Sequence, residues 1–185
     1  MLQALKILAL FLLINLMACQ APIKQEQSKN KVFFDLKQYF GEAIEALEKS
    51  AFSLEKTVKI GDKSEAKTLE TVNWSQELQV FSEADINKTA WMDKYDKDTL
   101  SQQIVYVANN SALKTQKIVL DFKGSTYLGK ALTKVTINNQ TDNVLYQSNE
   151  TLTYMPPQKQ WNIRRTQKVA TGNTETIVIE GKVRN

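Results

Sequence analysis

Side chains that could carry out chemistry are few in this 185-residue chain, which has one cysteine, Cys19, and no histidine. Without histidine the chain cannot form a Ser-His-Asp triad, a Cys-His dyad or a histidine general base. Imidazole and thiolate are also the usual ligands of zinc and copper, so a site for these metals is not expected. The 6 glycines are scattered and form no phosphate-binding loop. We therefore predict neither a metal site nor a cofactor.

Carboxylates are the remaining reactive groups, and they are densest in the segment DKYDKD at 93–98. Asp93, Asp96 and Asp98 could bind calcium through oxygen ligands or act as paired acids. Two lysines lie between them, however, and no glycine or glutamate has the spacing of a calcium loop. We interpret the segment as a solvated turn before a strand that starts near residue 101.

Cationic residues give the chain a formal net charge of +4 and a pI of about 9.0, but they are mixed with acids throughout. Nucleic-acid binding needs a clustered cationic face, ideally with interleaved aromatic residues. Only Arg164 and Arg165, near Trp161, come close, and they could equally grip an anion or a sugar ring. Adjacent residues of a strand point to opposite faces, so the two arginines cannot form one clamp. We predict a strand surface here and no nucleic-acid partner.

The lone cysteine directly follows an apolar N-terminal run. Lys6 precedes the uninterrupted apolar residues 7–14, and Leu16, Met17 and Ala18 lead to Cys19. A cation, then a short apolar core, then small residues before the cleavage site are typical of a secretory signal peptide. The run is too short for a membrane-spanning helix, which needs about 20 apolar residues. An ordinary signal peptide that happens to be followed by a cysteine is one interpretation.

The sequence Leu16-Met17-Ala18-Cys19 resembles the lipobox of bacterial lipoproteins, and this is the interpretation we favour. The resemblance implies cleavage between Ala18 and Cys19, a diacylglyceryl group on the Cys19 thiol and acylation of the new amine. Each buried methylene contributes about 0.8 kcal/mol, so two or three acyl chains anchor a protein firmly. Gln20, and not aspartate, follows the cysteine, which resembles the pattern of bacterial lipoproteins that are sorted by default to the outer membrane. We therefore expect a protein anchored by lipid in the outer membrane and facing the periplasm.

The segment EADINKTAWMDKY, residues 83–95, resembles a motif of small, uncharacterised lipoproteins of the Bacteroidetes kind. There a similar stretch follows a short helix and precedes a sheet that runs to the C-terminus, and no activity is implied. The matching residues are Asp85, Ile86, Asn87, Lys88, Ala90 and Trp91. From the residues themselves we predict that Trp91 closes the core, while Asp85 and Asn87 organise the exit of the helix.

Two amphipathic helices are predicted. The first is marked by apolar residues at three- and four-residue steps. These are Phe33, Leu36, Phe40, Ile44, Leu47, Ala51 and Leu54. The second spans about 73–86 and has Asn73 or Ser75 as its cap. Its apolar face consists of Trp74, Leu78 and Phe81.

Strands are predicted where the apolar period changes from 3.6 to 2. A hairpin over 56–72 has its turn at Gly61-Asp62. From residue 101 onward, short strands alternate with turns at 138–143, Pro156-Pro157 and Gly172-Asn173. The predicted strands are 104–107, 117–122, 133–138, 144–154, one through Trp161, Ile163, Arg165 and Val169, and 176–183.

The predicted fold class is α+β. An N-terminal helix and a short second helix pack on a curved antiparallel meander sheet, for which a half-barrel is one form. Residues 1–18 are predicted to be the signal peptide and residues 19–31 a lipidated, flexible tether. Residues 32–185 are predicted to form a single domain.

These observations favour a lipid-anchored cell-envelope protein with a non-enzymatic binding or structural role. Its partner would be an envelope protein or a hydrophobic ligand. A ligand carrier predicts a pocket of roughly a few hundred Å³ lined by Leu, Ile and aromatic residues, whereas a filled core favours a protein partner. The alternative is an envelope hydrolase in which two carboxylates with raised pKa values meet in one cleft. The candidate acids are Glu83, Asp85, Asp93, Asp96 and Asp98.

Overall fold

The computed structural model describes residues 32–124 and 131–184. The predicted signal peptide and the tether, with Cys19, lie outside the described residues. In chain order the elements are α1 (Leu36–Glu48), β1 (Ser53–Ile60), β2 (Lys63–Leu69), α2 (Trp74–Glu83), β3 (Tyr95–Thr99), β4 (Gln103–Ala108), β5 (Thr115–Phe122), β6 (Leu132–Asp142), β7 (Tyr146–Met155), β8 (Gln160–Val169) and β9 (Thr174–Arg184). Within the described ranges, neither helix has the length and apolar character needed to cross a membrane.

All nine strands belong to one antiparallel sheet with the order β2-β1-β9-β8-β7-β6-β5-β4-β3. From β3 to β9 each strand pairs with its successor, which makes a meander, and β1 joins this meander along β9. Among the described strands, β2 and β3 lie at opposite edges, so the sheet is not closed. The predicted combination of two helices with an antiparallel meander sheet is confirmed.

Helix α1 begins after Asp35, whose side chain caps the first turn by accepting a hydrogen bond from the Gln38 amide. The helix ends at Glu48, so the prediction that it continues to Leu54 was wrong. Leu54 is instead buried in β1, where it pairs with Val183 of β9. The spacing of Leu54 from Ala51 fits a helix, but the chain turns at 49–51 before it reaches Leu54. Here the hydrogen bonds that β1 makes with both β2 and β9 favour the strand.

Helix α2 has the predicted cap and the predicted apolar face. The Asn73 side chain accepts a hydrogen bond from the Gln76 amide. The buried residues of α2 are Trp74, Leu78 and Phe81. Phe81 stacks on Phe40 of α1 with 4.9 Å between ring centroids. Both rings contact the ring of Tyr154 of β7. The centroid of the Tyr154 ring lies 5.9 Å from that of Phe81 and 5.1 Å from that of Phe40.

Two segments that were predicted to be turns belong to strands. Residues 95–98 of the acidic segment belong to β3, and β6 continues to Asp142 through most of the predicted turn. The true turn follows at 143–145, so β7 starts at Tyr146 rather than Val144. Asn and Asp favour turns locally. Pairing of β6 with β7 over 138–142, and with β5 at 138 and 139, nevertheless binds the backbone here, and this outweighs the local preference.

The strand register aligns apolar residues in rows that cross the sheet. The row that we call the core row takes one residue from each strand between β1 and β4. It consists of Val58, Ile179, Ile163, Leu152, Ile137, Ile118 and Tyr106. All except Val58 and Ile179 are buried. Alternate residues of a strand share a face, so Tyr154 lies on the same face as Leu152. We call this the helix-side face.

Candidate functional site

The predicted motif residues Asp85 and Asn87 follow α2 and bind the backbone around the start of α1. Asn87 Oδ1 accepts a hydrogen bond from the Phe33 amide at 3.1 Å, and Asn87 Nδ2 donates to the Phe34 carbonyl at 3.2 Å. Asp85 Oδ2 accepts from the Lys37 amide at 3.3 Å. The motif therefore joins the exit of the second helix to the start of the first.

Asp85 and Asn87 are also bonded to each other. The Asn87 amide donates to Asp85 Oδ1 at 2.8 Å, and Asn87 Nδ2 lies 3.3 Å from Asp85 Oδ2. This two-residue spacing is that of an Asx turn. Ile86, between them, is fully buried in the core. Because every polar side-chain atom of the pair is bonded within the protein, the arrangement is that of a structural clasp.

Trp91 lies in a short 3₁₀ turn, Thr89–Trp91, that follows the clasp. Its ring is half-buried and packs against the core, with 6.4 Å between its centroid and that of Tyr95. The Lys88 ammonium lies 3.9 Å from the centroid of the Trp91 ring and makes a cation–π contact with it. Trp91 thus covers the margin of the core, between the clasp and β3.

The acids named for a hydrolase lie mostly on the surface. Glu83, Asp93, Asp96 and Asp98 are exposed, and Asp85 belongs to the clasp. Asp93 accepts a hydrogen bond from Lys94, and that bond lowers the pKa of its carboxyl. The hydrolase alternative predicts a raised pKa. Across residues 32–124 and 131–184, no three Asp, Glu, His or Cys side chains are grouped so that they could hold a metal ion.

The two adjacent arginines occupy opposite faces of β8, as strand alternation predicted. Arg164 is exposed and pairs in register with Val178. Arg165 lies on the helix-side face, opposite Glu150 of β7 and Ile177 of β9. Only Arg165 therefore reaches the polar groups on that face.

Glu150 is the acid that the sequence interpretation missed. Its side chain is only 5% exposed, and its Oε1 accepts hydrogen bonds from Arg165 Nε at 2.9 Å and from Arg165 Nη2. Its Oε2 accepts from Asn139 Nδ2 of β6 at 3.0 Å. A buried carboxylate needs such compensation. We call Asn139, Glu150 and Arg165 the Glu150 cluster.

The Glu150 cluster is part of a row next to the core row, two residues further along each strand. Ile60, Ile177, Arg165, Glu150 and Asn139 follow one another across β1, β9, β8, β7 and β6. A cavity of about 230 Å³ opens beside the cluster. Its wall also includes Lys114, Thr141, Tyr146 and Ser148. Asn139 Oδ1 is buried and has no hydrogen-bond partner among the described residues.

An apolar strip continues this face next to the cluster. Val58 and Ile60 of β1 lie in register with Ile179 and Ile177 of β9. All four are at least partly exposed, whereas Ile163 in the same core row is buried. The helix-side face therefore has a buried apolar part and a partly exposed part in which these four residues adjoin a charged cluster, with Ile60 the most exposed of them at 43%. We call the four residues the β1–β9 strip.

Five cavities of the described residues, from about 230 to 620 Å³, are open depressions with charged or amide side chains in their walls. None is a chamber lined by Leu, Ile and aromatic residues. The largest apolar side chains of the core are instead packed together and inaccessible to solvent. Compared with known proteins, the chain matches no family model, no curated protein and no solved structure.

Proposed function

We propose that the protein is a cell-envelope lipoprotein with a non-enzymatic role, anchored in the outer membrane through lipid on Cys19 and facing the periplasm. The lipobox-like sequence Leu16-Met17-Ala18-Cys19 supports the anchor. The absence of histidine from the chain and the dispersal of the exposed acids give an enzymatic role no support.

We further propose that the domain binds an envelope protein rather than a hydrophobic ligand. The observation that carries this choice is the contrast on the helix-side face, where a filled core lies beside the partly exposed β1–β9 strip. A carrier needs an apolar chamber, whereas a protein-binding surface combines exposed apolar residues with a polar rim. The strip supplies the apolar part, and Arg165 of the Glu150 cluster, whose side chain is 41% exposed, supplies the polar part.

The edges of the sheet are less suited to binding a partner strand. β2 presents Lys63, Glu65 and Lys67, and β3 presents the segment 96–98, all exposed. Charged edge strands discourage pairing with another chain. We therefore propose that the partner contacts the face of the sheet, and that the sheet curves around α1 and α2 as an open half-barrel. A flat sheet in an experimentally determined structure would contradict the half-barrel.

Site-specific photocrosslinking in the native cell tests the partner surface. Ile60 and Lys59 are adjacent exposed residues of β1 on opposite faces, so a photoreactive amino acid at these two positions probes the two faces of the sheet at the same point along the strand. We expect Ile60 to give a discrete adduct with an envelope protein, identified by mass spectrometry, and Lys59 to give none. Equal adducts at both positions, or no adduct at Ile60, would contradict the proposed surface.

Intact-mass measurement of the native product tests the anchor separately. The expected mass corresponds to a chain that starts at Cys19 and carries a diacylglyceryl group and an N-acyl chain. Cys19→Ser is the matched control, because serine lacks the sulfur that forms the thioether. An unmodified thiol, or a chain that still begins at Met1, would contradict the anchor.

A further inference from the structure

Apolar side chains are concentrated at the turn between β6 and β7, at one end of the sheet. Val144 is 93% exposed and Leu145 is 72% exposed, the two highest values among the large hydrophobic residues of the described ranges. Val169, at the end of β8, is also exposed and lines the same depression of about 620 Å³. Single exposed apolar residues are common, but neighbouring ones mark a contact surface. We call these three residues the apolar tip.

Hydrogen bonds hold the apolar tip in place. Asn143 Oδ1 accepts from the amides of Leu145 and Tyr146 at 3.0 and 2.9 Å. The Asn143 amide donates to the Tyr146 carbonyl, and the Ala170 amide donates to the Leu145 carbonyl, both at 3.0 Å. The turn is thus tied to the neighbouring β8–β9 turn, so Val144 and Leu145 project from an ordered support.

The chain enters the described domain at the same end of the sheet. Phe33 contacts Tyr95, the first residue of β3, with 5.8 Å between ring centroids. Because Tyr95 pairs with Ala108, the last residue of β4, it lies at the end where the β4–β5 and β6–β7 turns also lie. β3 and β7 are four strand spacings apart, which is roughly 19 Å.

We propose that the apolar tip inserts into the interfacial region of the lipid bilayer that holds the Cys19 anchor. This inference rests on the anchor proposed above. Residues 19–31 separate Cys19 from the described domain, and such a segment reaches on the order of 40 Å when extended. The anchor and the tip can therefore reach one leaflet together. Anchoring also makes insertion an intramolecular step, so a small apolar surface is sufficient.

The charges around the tip indicate apolar rather than electrostatic attraction. Asp142 and Lys168, both exposed, have opposite charges and flank the tip in the same depression. A surface held by anionic headgroups would need clustered lysines or arginines. Insertion of the tip is therefore expected to be the same in zwitterionic vesicles and in vesicles that contain anionic lipid.

Depth-dependent fluorescence quenching tests the inference on the full lipidated protein in phosphatidylcholine vesicles. Thr171→Cys places a maleimide-linked environment-sensitive fluorophore on the turn beside the tip while leaving Val144 and Leu145 in place. Gln158→Cys places the same fluorophore on the exposed β7–β8 turn, at the other end of the sheet. Intact-mass measurement first verifies that Cys19 is lipidated and therefore does not take the label.

Brominated phosphatidylcholine is expected to quench the Thr171 label several-fold more than the Gln158 label. In the Val144→Asp/Leu145→Asp background this difference is expected to disappear, while thermal unfolding stays unchanged because both side chains are exposed. Equal quenching at the two positions, in a chain whose Cys19 carries lipid, overturns this inference alone. If the label emission changes with the density of protein on the vesicle and not with the bromolipid content, a second copy of the chain contacts the tip. That result also overturns the inference. An unmodified Cys19 overturns the proposed function and this inference with it.

Discussion

The indole ring of Trp161 lies directly on the backbone of Gly181, its register partner on β9. A Cβ atom at position 181 would lie 2.2 Å from Trp161 Cε2 and 2.3 Å from Cζ2. Both residues are buried from solvent. Glycine is needed here because the aromatic side chain occupies the volume that any other residue would fill.

Gly181→Ala is therefore expected to destabilise the domain by about 1–3 kcal/mol, the usual range for overpacking in a close-packed core. Chemical denaturation followed by tryptophan fluorescence measures the change. Trp161→Leu in the Gly181→Ala background should recover part of the loss, since the smaller side chain makes room for the new methyl group. A Gly181→Ala variant as stable as the wild type would contradict the close contact.

Gly41 in α1 provides the opposite case. A Cβ atom there would meet nothing within 4 Å outside the helix itself. Alanine in a helix interior is favoured over glycine by about 0.5–1 kcal/mol, so Gly41→Ala should raise the free energy of unfolding by that amount. Thermal or chemical denaturation checks the sign, and a loss of stability would show that the position is more crowded than described.

The clasp makes a prediction about the start of α1. Asn87→Ala removes one acceptor and one donor that bind the Phe33 amide and the Phe34 carbonyl. A destabilisation of about 1–3 kcal/mol is expected, because these part-buried backbone groups lose their partners. Hydrogen exchange should accelerate at the Phe33 amide. Lys88→Ala is the matched control: Lys88 is the exposed neighbour of Asn87, and its replacement should leave the exchange rate of the Phe33 amide unchanged.

The Glu150 cluster predicts a coupled pair. Arg165→Met leaves the buried Glu150 carboxylate without its cationic partner, and we expect a loss of about 1–3 kcal/mol. This is below the value for a fully buried pair, because Arg165 is 41% exposed and solvent screens it. Glu150→Gln in the Arg165→Met background should be better tolerated than Arg165→Met alone. Additive effects in this double-mutant cycle would rule out the coupling.

Alkaline pH is expected to unfold the domain partly through buried tyrosines. Burial raises the pKa of Tyr95 to about 12, whereas a tyrosine in the unfolded chain titrates near 10. Between these values the unfolded state loses the phenolic proton and the folded state keeps it. The stability linked to this proton is therefore complete below about pH 10 and is lost as the pH rises toward 12.

Tyr95→Phe should flatten this pH dependence. The wild type is expected to lose about 2–3 kcal/mol more than the variant between pH 10 and 12, since each pKa unit corresponds to about 1.4 kcal/mol. At neutral pH the variant should be less stable by about 1 kcal/mol, because the hydroxyl donates to the Thr115 carbonyl at 2.7 Å. Denaturant titrations at a series of pH values measure both effects, and parallel pH profiles would contradict the assignment.

Local chemistry predicted the cap of α2 and the first hairpin, because these features depend on few residues. Asn73 caps α2, and Gly61 adopts a positive φ of 57° at the β1–β2 turn. The errors occurred where distant strands decide the conformation. Leu54 pairs with β9 and does not extend α1, and β6 runs through residues 138–142 because β7 pairs with it over this whole range.

The Glu150 cluster was missed for the same reason. Its three members come from three strands, and their proximity depends on the register that the turn at 143–145 sets. Because the turn was predicted at 138–143, Asn139 was expected to lie outside the sheet, and its pairing with Glu150 was not predicted. One signal was present in the sequence: Glu150 occupies an inward position of the alternation that continues through Leu152 and Tyr154.

The clasp at Asp85 and Asn87 also has a mechanical consequence. Phe33 and Phe34 are held by Asn87, and the Phe34 amide also donates to the Tyr106 hydroxyl at 3.1 Å. Tension applied through the chain before residue 32 is therefore shared between the loop after α2 and the middle of β4, and it does not begin by unwinding α1. When the domain is pulled through the residues before 32, these few hydrogen bonds are therefore expected to break first and to set the force at which the domain begins to open.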